Sequence, residues 1–220
     1  MADEAPPRDA WLAADPPADP LPRLRAWIDE ARADRGVAEP DAATLATVDA
    51  NRRPSARVVL VRALDLERGA LLFYTNRNSR KGRALATTPF ASLVLHWDRL
   101  ARQARLEGPV TLASDAESDA YFASRHPDSR LGAWASDQGE PIASRAELVA
   151  RYEAVKARFG DGGAAPRPPH WGGYRVWLER VELWASRPHR LHDRVVWERE
   201  LARNGDGFRG GAWRATRLMP

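Results

Sequence analysis

The chain has 220 residues, with 34 lysines and arginines against 30 aspartates and glutamates, and no cysteine. That length suits one domain with a sizeable core, and the missing cysteine excludes a disulfide framework, a zinc–thiolate site and a thiol nucleophile. The net charge of +4 is spread along the whole chain with acidic residues between, which argues against a nucleic-acid-binding block and fits a few arginines gathered around an anionic small molecule.

Residues 1–19 carry Pro6, Pro7, Pro16 and Pro17, with Pro20 just beyond, and prolines at this density forbid regular ladders; a flexible arm is expected. The arm lacks the basic-then-apolar order of a signal peptide. No apolar run approaches the roughly 18 residues that cross a bilayer. A cysteine-free chain fits a reducing compartment, so the expected address is cytoplasmic, with neither membrane nor nucleic acid as partner.

From Pro20 the pattern changes. Leu21, Leu24, Trp27, Ile28 and Ala31 recur at helical spacing, and Gly36 follows. Strands are expected at 43–50, 56–64, 70–76, 90–97 and 101–113, with turns at 51–54 and 65–69 and a short helix at 79–88 ended by Pro89. The run Val58-Val59-Leu60-Val61 reads as a strand buried on both faces. Ser114 with Glu117 and Ser144 with Glu147 are capping-box spacings, which open helices through Arg125 and Phe159. A loop is expected over 160–173, strands at 174–185, 195–201 and 213–218, and a turn at Asn204-Gly205-Asp206-Gly207. Short strands joined by tight turns make a sandwich or barrel with flanking helices, in one domain over 20–220.

Five groups of residues carry possible chemistry. In Tyr74-Thr75-Asn76-Arg77-Asn78-Ser79-Arg80-Lys81 a strand ends and a helix opens with a hydroxyl and two cations, a combination that suits a phosphate, though a solvated helix start would look the same. Arg57 lies in an otherwise apolar strand and Arg62 near its far end, and a charge there needs a partner or an edge position. Tyr121 and Arg125 are four apart on a helix, with Ser129 close behind, a set able to hold a phosphate monoester or to be an ordinary helix face. Gln103 can donate and accept towards a flat polar ring. The cluster Arg190-Leu191-His192-Asp193-Arg194 follows Trp184, with His192 either functional or a core histidine. No His/Asp/Glu group has metal-ligand spacing.

Taken in order, these groups resemble the pyridoxamine 5′-phosphate oxidase family over about 41–220. The pieces that carry the likeness include Arg57-Val58-Val59-Leu60, Phe73-Tyr74-Thr75-Asn76, Ser79-Arg80-Lys81, Arg102-Gln103, Tyr121-Phe122, Ser124-Arg125, Asp128-Ser129, Trp171-Gly172-Gly173-Tyr174, Glu182-Leu183-Trp184 and Arg190-Leu191-His192-Asp193-Arg194. The resemblance implies an antiparallel, Greek-key-like, FMN-binding split β-barrel, mainly β with flanking helices, that works as a homodimer with FMN at its interface. It implies FMN contacts from Arg57, Val58, Val59, Leu60, Tyr74, Thr75, Arg80, Lys81, Gln103, Trp184 and Arg194, with Gln138 reaching the flavin from the partner chain. It implies that Arg62, Tyr121, Arg125 and Ser129 take the substrate and its phosphate, and that Arg190 and His192 enclose the substrate ring as the catalytic pair.

The implied reaction oxidises pyridoxine or pyridoxamine 5′-phosphate to pyridoxal 5′-phosphate. A hydride leaves the substrate's C4′ for flavin N5, and dioxygen reoxidises the flavin to give hydrogen peroxide. Three departures bear on the ligand contacts: Arg62 stands where the family usually has lysine, Gly139 where it commonly has serine, and Ala10-Trp11-Leu12-Ala13 lacks the family's arginine-rich N-terminal motif. They keep open an FMN oxidase of another small aromatic substrate, as in phenazine pathways; a reading of a different class is a flavin-binding or oligomeric module without turnover.

Overall fold

A computed structural model describes residues 9–161 and 165–220. It begins with a single helical turn, α1 (Ala10–Ala13), and the amphipathic α2 (Leu21–Ala33), which starts at Pro20 and buries Leu21, Leu24, Trp27, Ile28 and Ala31, the stripe that the helical spacing predicts. The five expected strands follow as β1 (Ala42–Val48), β2 (Pro54–Asp65), β3 (Ala70–Asn76), β4 (Phe90–Trp97) and β5 (Arg102–Leu112). Helix α3 (Arg80–Thr87) lies between β3 and β4. Three helices come next, α4 (Asp115–Ser124), α5 (Pro127–Ala135) and α6 (Arg145–Phe159), and then strands β6 (Trp171–Trp177), β7 (Arg180–Ala185), β8 (Asp193–Glu198), β9 (Leu201–Asn204), β10 (Gly207–Gly210) and β11 (Arg214–Arg217).

Strands lie in the order β4-β1-β2-β3, so the fourth returns through α3 to lie beside the first, which is a Greek key. β6 then pairs with both β3 and β5, closing six antiparallel strands into a barrel. The long β5 makes the split: Val110–Leu112 pair with β6, while Arg102–Glu107 pair with β7, from which β8 and β11 extend outside the barrel. Inward Leu93, Leu95 and Trp97 alternate with outward Ser92, Val94 and His96 on β4, as a strand with one wet face requires. Closure removes most sheet edges, the usual sites of unwanted pairing.

Four expectations are corrected by this architecture. The apolar run in β2 is buried on one face only: Val61 is 3% exposed, but Val58 is 65% exposed on the barrel's outer wall. The strand expected at 174–185 is two strands, because the chain crosses from one end of β5 to the other between them; Leu178 N–H donates to Gly69 C=O and Glu179 N–H to Glu107 C=O. Its first half starts at Trp171, so Gly172 and Gly173 belong to a strand and not to the preceding loop. A Cβ on Gly173 would lie 2.7 Å from the Ala113 Cβ and 2.8 Å from the Tyr74 ring, so glycine is demanded by close approach. The strand expected at 195–201 ends at Glu198, and Leu201 opens the β9–β10 hairpin, whose tip is the Gly205-Asp206 pair expected as a turn.

Residues 1–8 of the expected flexible arm lie outside the described residues, and the rest is seated on the barrel. Arg102, 1% exposed, is held by both Asp9 oxygens at 2.7 and 2.9 Å and by Glu30 at 2.8 Å. The Trp27 indole donates to Asp9 and the Trp197 indole to Pro17 C=O, and Leu12 is fully buried. No helix among the described residues is long and apolar enough to cross a membrane.

Candidate active site

The end of β3, the start of α3, the outer face of β2 and helices α4 and α5 enclose a cleft of about 430 Å³. Local sequence rules place its walls. Ser79 caps α3, its hydroxyl oxygen accepting from the Gly82 N–H, so Lys81 enters on the first turn, where free N–H groups and the positive dipole end face the cleft. Ser114 makes the full capping box with Glu117 and sets the start of α4; at Ser144 only the hydroxyl half forms, and Glu147 bonds the Ala143 N–H. Helix α5 carries Ser129 into the cleft wall. Its signal was Pro127 at the first helical position followed by Asp128.

One wall is aromatic. Tyr74 stacks on Tyr121 with centroids 4.0 Å apart, and Trp171 lies 5.6 Å from Tyr74 and 6.1 Å from Tyr121, all nearly parallel. Arg125 covers Trp171 at 4.9 Å and Arg62 sits 6.0 Å over Tyr121, so cations cap the stack. Tyr121, on the last turn of α4, and Arg125, its C-cap with an extended backbone, both face the cleft, and Trp171 joins them from β6. Burial, then Glu117 and Tyr121, holds the Tyr74 hydroxyl above the ordinary tyrosine range.

The electrostatics are one-sided. Arg57, Arg62, Arg80, Lys81 and Arg125 gather here, and none has a carboxylate partner among the described residues. Arg57 is tied to neutral oxygens, Thr47 Oγ1 at 2.8 Å and Leu45 C=O at 3.2 Å. Lys81 Nζ donates to Gln138 Oε1 at 2.6 Å and Ser79 Oγ at 3.1 Å. Burial, and then the nearby Arg57, lowers the Lys81 ammonium to about 8. Burial and Arg80 lower Arg57, and burial and Arg62 lower Arg125. The Arg125 Nη1 is buried with no hydrogen-bond partner. Elsewhere Arg102, Arg167 and Arg180 each meet a carboxylate. Lys81 is buried and Arg57 and Arg125 are half-buried, and cations taken from water without a carboxylate cost free energy that a bound anion would offset, so this cleft suits anionic ligands.

Of the residues expected to bind ligand, Val58, Val59, Leu60, Arg62, Tyr74, Thr75, Lys81, Tyr121, Arg125, Ser129 and Gln138 line this one cleft. Arg57 and Arg80 stand behind it, close enough for their charges to bear on one another. Gln138 corrects the expectation that it arrives from a partner: the segment after α5 folds back over α3, and its side chain bonds Thr75 and Lys81 of its own chain.

Gln103, Trp184 and Arg194 do not reach the cleft. They form a cross-strand row over β5, β7 and β8, which His96 extends on β4. The same outer face carries Leu60 and Ala42 as a pair on β2 and β1. From β2 to β5 is three strand spacings, roughly 14 Å, so the row stands apart from the cleft. His192 lies against Trp184 with ring centroids at 4.6 Å, and its Nδ1 accepts from the Arg187 N–H at 3.1 Å. That bond leaves Nε2 as the proton-bearing nitrogen of the neutral ring. His189 and Arg190 both have left-handed backbones, φ 58° and 63°, a strained pair of the sort found at functional turns. Each chain therefore presents a cationic cleft and, separately, a ring platform with Arg190 and His192 beside it.

A Greek-key split barrel with an anion-demanding, aromatic-walled cleft on its outer face defines a protein of the FMN-binding split-barrel class. The chain belongs to the pyridoxamine 5′-phosphate oxidase family, whose members are FMN-dependent oxidoreductases: residues 29–159 match the family model "Pyridoxamine 5′-phosphate oxidase" and residues 171–220 match "Pyridoxine 5′-phosphate oxidase C-terminal dimerisation region". It is 51% identical over 208 residues to pyridoxine/pyridoxamine 5′-phosphate oxidase 1 of Ralstonia nicotianae, covering 94% of this chain and 92% of that one. It is 50% identical to the Burkholderia multivorans pyridoxine/pyridoxamine 5′-phosphate oxidase over the same shares. Among solved structures, PhzG of Burkholderia lata, in complex with tetrahydrophenazine-1-carboxylic acid, superposes with a TM-score of 0.80 at 33% identity, covering 94% of this chain and 95% of that one.

Proposed function

We propose that this chain is a pyridoxine/pyridoxamine 5′-phosphate oxidase, forming pyridoxal 5′-phosphate with dioxygen as acceptor and releasing hydrogen peroxide. The observation that carries this reading is the set of carboxylate-free cations beside a stacked aromatic wall, in two groups. Arg57, Arg80 and Lys81 gather at the α3 N-terminus and suit the FMN phosphate. Arg62, Arg125, Tyr121 and Ser129, opposite them, suit a second phosphate, on the substrate. The residues fit FMN on chemistry, with charge-assisted donors at the α3 end and Tyr74, Thr75 and Gln138 beyond them, while the orphaned Arg125 Nη1 is left for the second phosphate.

FMN supplies the hydride acceptor and the route to dioxygen. The protein's own side chains bind the two phosphates, hold the substrate ring by packing and exclude water. Arg190 and His192 would close over the ring as the catalytic pair. Because the platform of Gln103, Trp184 and Arg194 lies outside its own chain's cleft, a partner's platform would complete each site. Trp184 and Arg194 of that platform, with Arg190 and His192 beside it, fall within the segment matched to the dimerisation region, which supports a homodimer with two shared sites. We place one functional domain over 20–220, and a cytoplasmic address fits the cysteine-free composition. In the direct test, purified yellow protein releases peroxide with pyridoxamine 5′-phosphate and not with unphosphorylated pyridoxamine; equal rates on the two would discard the second phosphate site.

PhzG and Arg62 favour a second reading, an oxidase of a different aromatic anion. Arginine is a planar fork where lysine is a point charge. If Arg62 serves a phosphate, Arg62→Lys keeps kcat/KM on pyridoxamine 5′-phosphate within about tenfold, about 1.4 kcal/mol. A poor wild type that improves with lysine would favour the second reading.

A further inference from the structure

The outer face of β7 carries a buried carboxylate with no evident task in the cleft. Glu182 is 1% exposed and is covered by three guanidinium groups. Arg194 donates from Nε and Nη2 to one oxygen, Oε1, at 3.1 and 2.9 Å. Arg105 donates to Oε2 at 3.2 Å, and Arg180 stands 3.5 Å from the same oxygen. Arg105 and Arg180 each have another carboxylate in Glu107, at 2.9 and 3.2 Å, and Arg180 also has Glu198 at 3.4 Å. For Arg194, Glu182 is the sole anionic partner among the described residues; its third bond runs from Nη1 to the Met219 carbonyl at 3.1 Å.

A carboxylate removed from water is costly unless its partners are well aligned. Here alignment is specific to Arg194. A guanidinium has five N–H donors in one rigid plane. Three of them are engaged, two on Glu182 Oε1 and one on the Met219 carbonyl, which restrains the plane and leaves two donors free, on a side chain whose cross-strand neighbour is Trp184. Glu182 lies beneath that neighbour on the same strand, two residues before it.

We propose that Glu182 is a positioning residue for flavin binding: it fixes the Arg194 guanidinium in the orientation that meets FMN and touches no ligand itself. The inference rests on the reading that Arg194 contacts FMN. The experiment is FMN titration of the apo-protein, followed by quenching of flavin fluorescence, for wild type, Glu182→Gln, Arg194→Ala, the double variant and Arg105→Met. Glu182→Gln is expected to weaken FMN about tenfold, and Arg194→Ala at least as much. In the Arg194→Ala background, Glu182→Gln then has less than about a twofold effect, as coupling through one residue requires. Arg105→Met, which removes a different partner of the same carboxylate, leaves affinity within about twofold.

Unchanged affinity in Glu182→Gln beside a weakened Arg194→Ala overturns the positioning role. So do equal losses with and without Arg194, since Glu182 would then act through general packing. Unchanged affinity in Arg194→Ala overturns the underlying placement of Arg194, and the proposal with it. Should Glu182→Gln not fold, Glu182→Asp keeps the charge one methylene shorter and is expected to weaken FMN only while Arg194 is present; a loss independent of Arg194 has the same contrary meaning.

Discussion

If Lys81 holds the FMN phosphate, as proposed, FMN affinity should depend on pH in a direction fixed by the surroundings of that ammonium. Its ammonium is bonded to two neutral oxygens, Gln138 Oε1 and Ser79 Oγ, and burial with the nearby Arg57 lowers it to about 8. A phosphate bound beside it stabilises the charged form, so its pKa rises in the complex. The group's contribution to binding is therefore complete below about pH 8 and lost as pH rises through and beyond that value. The phosphate is already dianionic above about pH 7, so Lys81 is the titrating partner. A pKa near 8 in the free protein gives about a tenfold weakening between pH 7 and pH 9, close to 1.4 kcal/mol. Fluorescence titration of the apo-protein with FMN across that range measures it. Lys81→Arg, which stays charged, should flatten the curve, and Lys81→Met should bind FMN weakly at every pH. A wild-type affinity constant from pH 7 to 9, or an unaltered slope in Lys81→Met, would refute the reasoning.

Three further outcomes are expected. Asp9→Asn removes one carboxylate from the buried Arg102, which Glu30 alone then faces, and should cost about 3 kcal/mol of stability by denaturant unfolding; a change under about 0.5 kcal/mol would mean that the N-terminal segment is not anchored there. Gly173→Ala would push a methyl group into the Tyr74 ring, so the folded variant should bind FMN more weakly, and wild-type affinity would show that the aromatic wall yields freely. Arg190→Ala and His192→Ala should each lower kcat/KM by about a hundredfold or more while the protein stays yellow; loss of FMN with unchanged turnover per bound flavin would reverse their assignment.

Most of the barrel was legible because its signals are local. Alternation in β4, the capping serines at 79, 114 and 144, and the Asn-Gly-Asp-Gly turn each act within a few residues. What depends on closure was not legible. Val58 reads as core from its apolar neighbours, yet the Greek key turns its face outward, over the cleft. The break at Leu178-Glu179 has no turn residue to mark it, since it is set by which end of β5 each half pairs with. The same limit holds at the site. Spacing brought Tyr121 and Arg125 to the same side even though the helix ends one residue short of Arg125, but Trp171 joined them only through the β3–β6 register. Nor does spacing show that Gln138 belongs to its own chain's cleft, or that Gln103, Trp184 and Arg194 lie several strands away from it. Glu182 gave no signal in sequence beyond its place in Glu182-Leu183-Trp184; its meaning lies in three arginines from separate strands.

The central claim is that electrons pass from a B6 phosphate to the flavin held by this chain. It is tested most directly by mixing the FMN-loaded protein with pyridoxamine 5′-phosphate in the absence of oxygen and following the flavin's visible absorbance. The account predicts that one equivalent of substrate bleaches the absorbance in a single turnover as one pyridoxal 5′-phosphate forms per flavin, water replacing the amine and ammonia leaving, and that admitting oxygen restores the absorbance with one peroxide per flavin. An oxidised spectrum that persists with pyridoxamine 5′-phosphate, in protein whose flavin a chemical reductant bleaches normally, would contradict it.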